Sequence, residues 1–365
     1  MVEFKCIGES MRLLFFHMIS GALVGLLSGL LPGIHPMLFP LSHPVAVGIA
    51  YGLFTVLSIL PVLWFMYVDP DNFASTNAVA RLSPKGWRYI TSLYAWGVML
   101  AIPLMVLALP FHQILEVQLP CTAVFVYLVL LSLLLILKSG PLPSTAFLAT
   151  LSGFLGLLAL RAPLGVKNPL IPLIAGLFGF SELLISKERS ILPGTEYTPR
   201  LEDLGAVVAG VLSGLLVSYF PAVSISLALL LFPLFEGYEG FIMALGAATI
   251  SSYFFSVFGR LEGLVRTSLA AALPTNELAL LALPSLLVGV SLGVLFMRLL
   301  THVRVPTAVA LVIVPLCVFY VSGLSGLILL AGSTALGALA RMFGVQKRVL
   351  SFAIIVPTLF FYAPM

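Results

Sequence analysis

Long uncharged apolar runs, each closed by proline, glycine or a short polar stretch, follow one another along the whole chain. A helix needs roughly 20 apolar residues to cross the hydrocarbon of a bilayer. Read from breaker to breaker, the runs predict helices near 13–31, 45–67, 90–110, 119–137, 143–160, 169–186, 204–219, 222–234, 239–258, 277–299, 306–321, 323–340 and 349–362, with 222–234 short enough for half a helix. The expected fold class is all-α: a polytopic integral membrane protein of about a dozen transmembrane helices. The longest polar interval, ISKERSILPGTEYTPRLED, mixes both charge signs with Pro193-Gly194 and Pro199. It divides the chain into a first transmembrane repeat, 1–186, a polar connector, 187–203, and a second repeat, 204–365.

The first apolar run ends abruptly in GLLSGLLPGIHP, residues 25–36, and GVLSGLL begins a kindred run at Gly210 that reaches Pro221. Two registers fit. Placing Pro32 on Pro221, an offset of 189, also places Gly21 on Gly210 and Gly25 on Gly214; an offset of 185 superposes the G-x-L-S-G-L-L cores. In either register small residues four apart share one helix face, as close helix packing in lipid requires. Each half is therefore expected to carry a Pro-broken helix near mid-membrane.

Composition agrees with the lipid solvent. The chain is 61% hydrophobic and 9% charged over 365 residues, with a mean hydropathy of +1.16, which excludes a water-soluble domain. The formal charge of +4 is too small and too scattered for nucleic acid binding and fits basic loop ends instead. Cys6, Cys121 and Cys317 lack metal or redox spacing. The stretch from Leu13 to Leu31 is too long for a signal peptide and reads as a retained helix entering from the cytoplasm, in a multi-pass protein of the cell membrane. Arg81, Lys85 and Arg88, and Lys187, Arg189 and Arg200, argue that both their loops are cytoplasmic as well. Arg298, Arg304, Arg341, Lys347 and Arg348 agree only if a piece around 265–283 crosses or re-enters, so parallel and inverted repeats both remain open.

Proline removes a backbone donor and glycine allows positive φ, so Pro32-Gly33 must stop its helix and leave polar backbone groups that lipid does not satisfy. Such groups persist inside protein or beside a watery cavity, where half-helix N–H groups suit a carboxylate. Pro32, Gly33, Ile34 and His35, with Pro221, Ser224 and Ser226, are the candidate substrate-binding residues on this argument. The competing reading is a kink or turn at the bilayer edge. Ser75, Thr76 and Asn77 in a polar island after the second helix, and Thr249, Ser251 and Ser252 with the following Arg266, add hydroxyls and a cation. They compete with interfacial loop and local backbone-bonding roles.

These pieces resemble the TctA family, the large membrane component of tripartite tricarboxylate transporters, in its short archaeal branch. The resemblance rests on GLLSGLLPGIHP, GVLSGLLVSYFP and GFIMALGAATISSYFFSV followed by VRTSLAAAL. It implies a secondary transporter of small organic anions, of di- or tricarboxylate type, driven by a Na⁺ or H⁺ gradient, with no other cofactor. A small membrane subunit and an extracytoplasmic binding protein are partners by that resemblance alone. The chain departs from the family pattern at Met37, Ala222 and Ala248. An enzyme is not expected, for the sequence has no H-E-x-x-H, intramembrane Asp pair or G-x-S-x-G. A non-transporting structural membrane protein is the alternative.

Overall fold

The computed structural model describes residues 2–31, 34–65, 75–108, 121–161, 165–185, 192–220, 225–229, 234–263, 267–300 and 307–363, with Pro110 and Phe232. Among them there is no strand. The helices are α1 (Val2–Leu30), α2 (Pro44–Leu57), α3 (Ile59–Phe65), α4 (Ser75–Leu82), α5 (Trp87–Ala108), α6 (Cys121–Lys138), α7 (Leu142–Arg161), α8 (Leu170–Ile174) and α9 (Ser181–Ile185). After the connector come α10 (Leu204–Tyr219), α11 (Ile225–Leu229), α12 (Gly237–Leu261), α13 (Ser268–Ala272), α14 (Ala282–Leu300), α15 (Thr307–Met342) and α16 (Phe352–Tyr362). A π-helical turn, Ala175–Phe180, joins α8 to α9.

Among the described residues eight helices are long and apolar enough to cross a membrane, and Thr122–Lys138 and Leu170–Ile185 are shorter apolar ones. The longest, α15, is two spans. Gly323 has a φ of 70° inside it, and a methyl on Gly326 would come within 3.5 Å of Val318 Cγ1. A straight helix would hold those positions about 12 Å apart. The chain therefore reverses at Gly323, where the apolar runs 306–321 and 323–340 divide in the sequence. The run 222–234 does not form a half-helix of that length; its described helix is the five-residue α11.

Glycine contacts give the helix directions. Gly21 lies on Ala46, Gly25 on Ala50 and Leu53, and Gly29 on Leu57, so α1 and α2 run parallel although they are consecutive. The chain between them, 31–43, must recross the bundle, and its described residues, 34–43, form no α-helix. His35, Phe39 and His43 have extended backbones on either side of a single 3₁₀ turn, Pro36–Leu38. The same construction recurs: Gly210 lies on Ala244 and Ala247, and Gly214 on Ala248 and Ser251, so α10 and α12 are also parallel. These pairings fit either register. At 189, Gly21 and Gly25 match Gly210 and Gly214 and the partner positions follow at 198, from 46 to 244, 50 to 248 and 53 to 251; at 185, Gly25 and Gly29 match them and the partners follow at 194, from 50 to 244, 53 to 247 and 57 to 251.

Helix partners are exchanged between the halves. On α2, Gly48 and Gly52 pack against α14 at Ala282, Ser285 and Leu286, while on α12 Gly246 packs against α5 at Tyr94 and Val98. Lys85 and Glu239 join the N-terminal ends of α5 and α12 at 2.5 Å. Tyr51 meets Tyr253, whereas Tyr94, level with Gly246, reaches the Thr55 carbonyl. Moving from 51 to 55 on α2 thus moves from 253 towards 246 on α12, and the two helices are antiparallel. The halves accordingly sit in opposite directions.

A second, smaller core holds α6, α7, α8 with its π-helical turn, the latter part of α15 and α16, and the exchange continues there. The Ser139-Gly140 turn accepts the Gln346 amide at the Ser139 carbonyl, 2.8 Å. Its counterpart, Ser322-Gly323, lies on the first half, with Ser322 donating to the Asn168 carbonyl and Ser325 to that of Gly165. From residue 192 the connector is strapped across α5. Leu192 and Pro193 carbonyls accept the Trp87 and Arg88 amides, and Trp96 Nε1 donates to the Tyr197 carbonyl.

With these directions, Arg81, Lys85, Arg88, Lys138, Arg200, Arg298, Arg341, Lys347 and Arg348 collect at the end of the bundle where α5 begins. Lys5, Arg12, Arg161, Lys167 and Arg260 lie at the other end, with the start of α1. The N-terminal helix and the loop of Lys85 therefore cannot share a side, contrary to the expectation that both are cytoplasmic. The late basic residues join Lys85 because the interrupted segments, rather than a piece around 265–283, make the extra crossings.

Candidate functional site

Bare backbone at membrane depth needs its polar groups accounted for. In the first crossing, prolines stand at 32, 36, 40 and 44, every fourth residue, so four donors are missing from the start. The Ile34 amide donates to the Leu31 carbonyl, that of Phe39 to Pro36 and that of Leu41 to Phe39. The Met37 amide donates to His35 Nδ1 at 3.2 Å. The second crossing ends in the same way: Phe232 donates to Leu229 and Leu234 to Phe232. The residues concerned are identical, Leu38-Phe39-Pro40-Leu41 and Leu231-Phe232-Pro233-Leu234. This repeated L-F-P-L is the sequence signal of the two crossings that the helix-break motif alone does not disclose.

Ile34 is buried at 3% exposure. His35 follows with its ring edge-on to Tyr51, centroids 5.4 Å apart, and to Phe54, at 4.8 Å. Its Nε2 faces the Tyr253 hydroxyl at 3.5 Å, and Tyr51 and Tyr253 meet edge-to-face at 5.0 Å. The first crossing thus touches the antiparallel helix of the other half through His35. Tyr51, Phe54 and Tyr253 were not legible as site residues, since aromatic positions in an apolar helix are ordinarily packing.

The remaining candidates divide. Pro32, Gly33, Pro221, Ser224 and Arg266 lie outside the described residues, and Thr76, Asn77 and Ser226 are described only as helical backbone. The turn Pro36–Leu38 packs on α1, α2 and α13, and α11 on α10 and α12. Ser75 is buried at the start of α4, which lies against α12. On α12, Thr249 donates to the Leu245 carbonyl, Ser251 to Ala247 and Ser252 to Thr249. Their protons serve their own helix, and Ser251 also forms the seat for Gly214, so these three offer a ligand lone pairs rather than donors.

Two further hydroxyls stand out. Ser28 and Ser213, at 2% and 0% exposure, have no hydrogen-bond partner among the described residues. They are the serines of the two G-x-L-S-G-L-L runs and precede the two crossings. A buried hydroxyl without a partner costs about 1–3 kcal/mol. Elsewhere, a surface cavity of about 300 Å³ lies under the connector, lined by Tyr89, Glu196, Tyr197 and Arg200. Burial and then the hydrogen bond to Asp203 hold the Tyr197 phenol above its ordinary pKa, so it is a neutral donor there.

Among the described residues no group of three or more His, Cys, Asp or Glu is placed to hold a metal ion. His43 repeats the geometry of His35, its Nδ1 accepting the Val45 amide at 3.3 Å, while its ring stacks on His17 at 4.1 Å. No family model, curated protein or solved structure matches the chain.

Proposed function

We propose that the protein is a secondary carrier of small organic anions of di- or tricarboxylate type, coupled to a Na⁺ or H⁺ gradient. The observation that carries this reading is the pair of interrupted crossings through the helical membrane core, the first extended around a single 3₁₀ turn over 34–43 and the second holding only the five-residue α11 as described helix, set in halves that run in opposite directions. Non-helical backbone is tolerated at that depth where it is enclosed by protein or lines a watery path, and inverted halves with interrupted helices at their interface are the architecture of secondary transporters. The buried Ser28 and Ser213 next to both crossings, without a partner among the described residues, support a polar path there. The carboxylate class comes from the TctA resemblance of the quoted motifs, as do a small membrane subunit and an extracytoplasmic binding protein as partners. Arg266 is the candidate counter-charge.

The test is uptake by proteoliposomes of [¹⁴C]citrate and [¹⁴C]succinate under imposed Na⁺ or pH gradients. Accumulation that collapses with the matching ionophore, and is abolished by Arg266→Gln in a variant that still inserts and folds, is the expected result. No uptake of either compound under any gradient would favour a non-transporting membrane protein.

A further inference from the structure

We propose that His35 recognises its ligand as a fixed, neutral hydrogen-bond donor, and that Tyr253 is the residue of the opposite half that completes this donor pair. The proposal rests on the carrier reading for its substrate and on local geometry for its chemistry. A backbone N–H is always a donor, so the Met37 amide 3.2 Å from His35 Nδ1 makes that nitrogen an acceptor and leaves it bare. In a neutral imidazole the proton then resides on Nε2.

Nε2–H points at the Tyr253 hydroxyl across 3.5 Å, the loose end of hydrogen-bond range. It retains capacity for an acceptor oxygen brought between ring and phenol. Together Nε2–H and the Tyr253 O–H present two donors to one oxygen, which suits a carboxylate.

The same contact excludes His35 as the carrier of a coupling proton. Protonating Nδ1 would set an N–H against the Met37 N–H and break the bond that shapes the turn Pro36–Leu38. Among the described residues the other titratable groups meeting the ring, Tyr51 from α2 and Tyr253 from α12, are phenols and supply no counter-charge near neutral pH. Coupling through H⁺ or Na⁺ therefore belongs to other residues.

Two isosteres separate the two nitrogens. Asparagine places an acceptor where Nδ1 lies and no donor at Nε2; glutamine places an amide donor at Nε2 and nothing at Nδ1. His35→Asn should keep the wild-type melting temperature in detergent but raise the KM for [¹⁴C]citrate or [¹⁴C]succinate at least about tenfold. Tyr253→Phe should do the same. His35→Gln should melt lower while keeping KM within about threefold of wild type. Identical behaviour of the Asn and Gln variants, or wild-type KM in His35→Asn, would overturn the donor role.

The tautomer is read separately, from ¹⁵N-histidine spectra of the full chain in nanodiscs, with His35→Asn assigning the signal. A bare Nδ1 and protonated Nε2 support the proposal; a protonated Nδ1 at neutral pH refutes it. Wild-type vesicles that take up neither acid would remove the carrier reading, and the substrate half of this proposal with it. The spectrum would still decide the tautomer.

Discussion

At the scale of single residues, glycine here works mainly as absent volume. A Cβ on Gly25 would stand 2.6 Å from Leu53 Cβ and 2.8 Å from the Ala50 carbonyl oxygen, and one on Gly214 would stand 2.5 Å from Ser251 Cβ and 2.6 Å from the Ala248 oxygen. Backbone and β-carbons of a packed helix do not yield by that much. Gly25→Val and Gly214→Val should each destabilise the fold by about 1–3 kcal/mol, seen as lower melting temperatures in detergent. Gly332→Ala is the control, because nothing lies within 4 Å of its missing Cβ; it should stay within about 1 kcal/mol of wild type. Equal losses at all three sites would mean that helix propensity, and not contact, governs. The glycine spacing was legible in the sequence, but which residue each glycine touches was not, because that depends on the neighbouring helix.

At the scale of elements, the joints between halves carry the polar chemistry. Glu182, at the end of the helix containing the π turn, binds Lys347 at 2.8 Å and Arg341 at 3.1 Å, and Lys347 also donates to Ser181 at 2.6 Å. The Glu182 and Lys347 side chains are only 10% and 5% exposed, whereas Arg341 is half exposed. Losing one member strands a buried charge, so Glu182→Gln should cost about 3–5 kcal/mol in a thermal melt. The double variant Glu182→Leu, Lys347→Met should recover most of that loss, since an apolar pair of similar volume needs no desolvation. A double variant no better than the single one would show that the cluster acts through something besides charge pairing. Among the described residues the corresponding joint at the other end uses serine hydroxyls on the Gly165 and Asn168 carbonyls. Sequence reading placed the apolar runs of these elements within a few residues, yet it passed over Glu182, which looks like the edge of a polar connector.

At the scale of the whole molecule, direction follows from the two crossings. They make α1 parallel to α2 and α10 parallel to α12, and they bring nine described basic residues to the end that holds Lys85 against five at the end where α1 starts. By the positive-inside tendency the Lys85 end is expected in the cytoplasm. Reporter fusions to the N-terminus, to the C-terminus and into the 83–86 turn check this. The two termini should report the same, extracytoplasmic side, and the turn the cytoplasmic one. Termini on opposite sides of the membrane, or the turn reporting outside, would contradict the arrangement.

The sequence by itself determined the solvent, the all-helical class, most helix positions and the existence of the proline break at 32, because each follows from local composition: hydrocarbon demands apolar runs, and proline and glycine end them. The identical L-F-P-L segments were also there to be read. Tertiary structure alone decided that the chain after each break recrosses the bundle, in the first half largely in extended form over 34–43, that α2 and α12 exchange partners with α14 and α5, and that His35 meets Tyr253. An extended crossing has the apolar composition of a half-helix, so hydropathy does not separate the two. What separates them is where the backbone N–H groups go, and that depends on neighbours more than two hundred residues away, as from His35 to Tyr253.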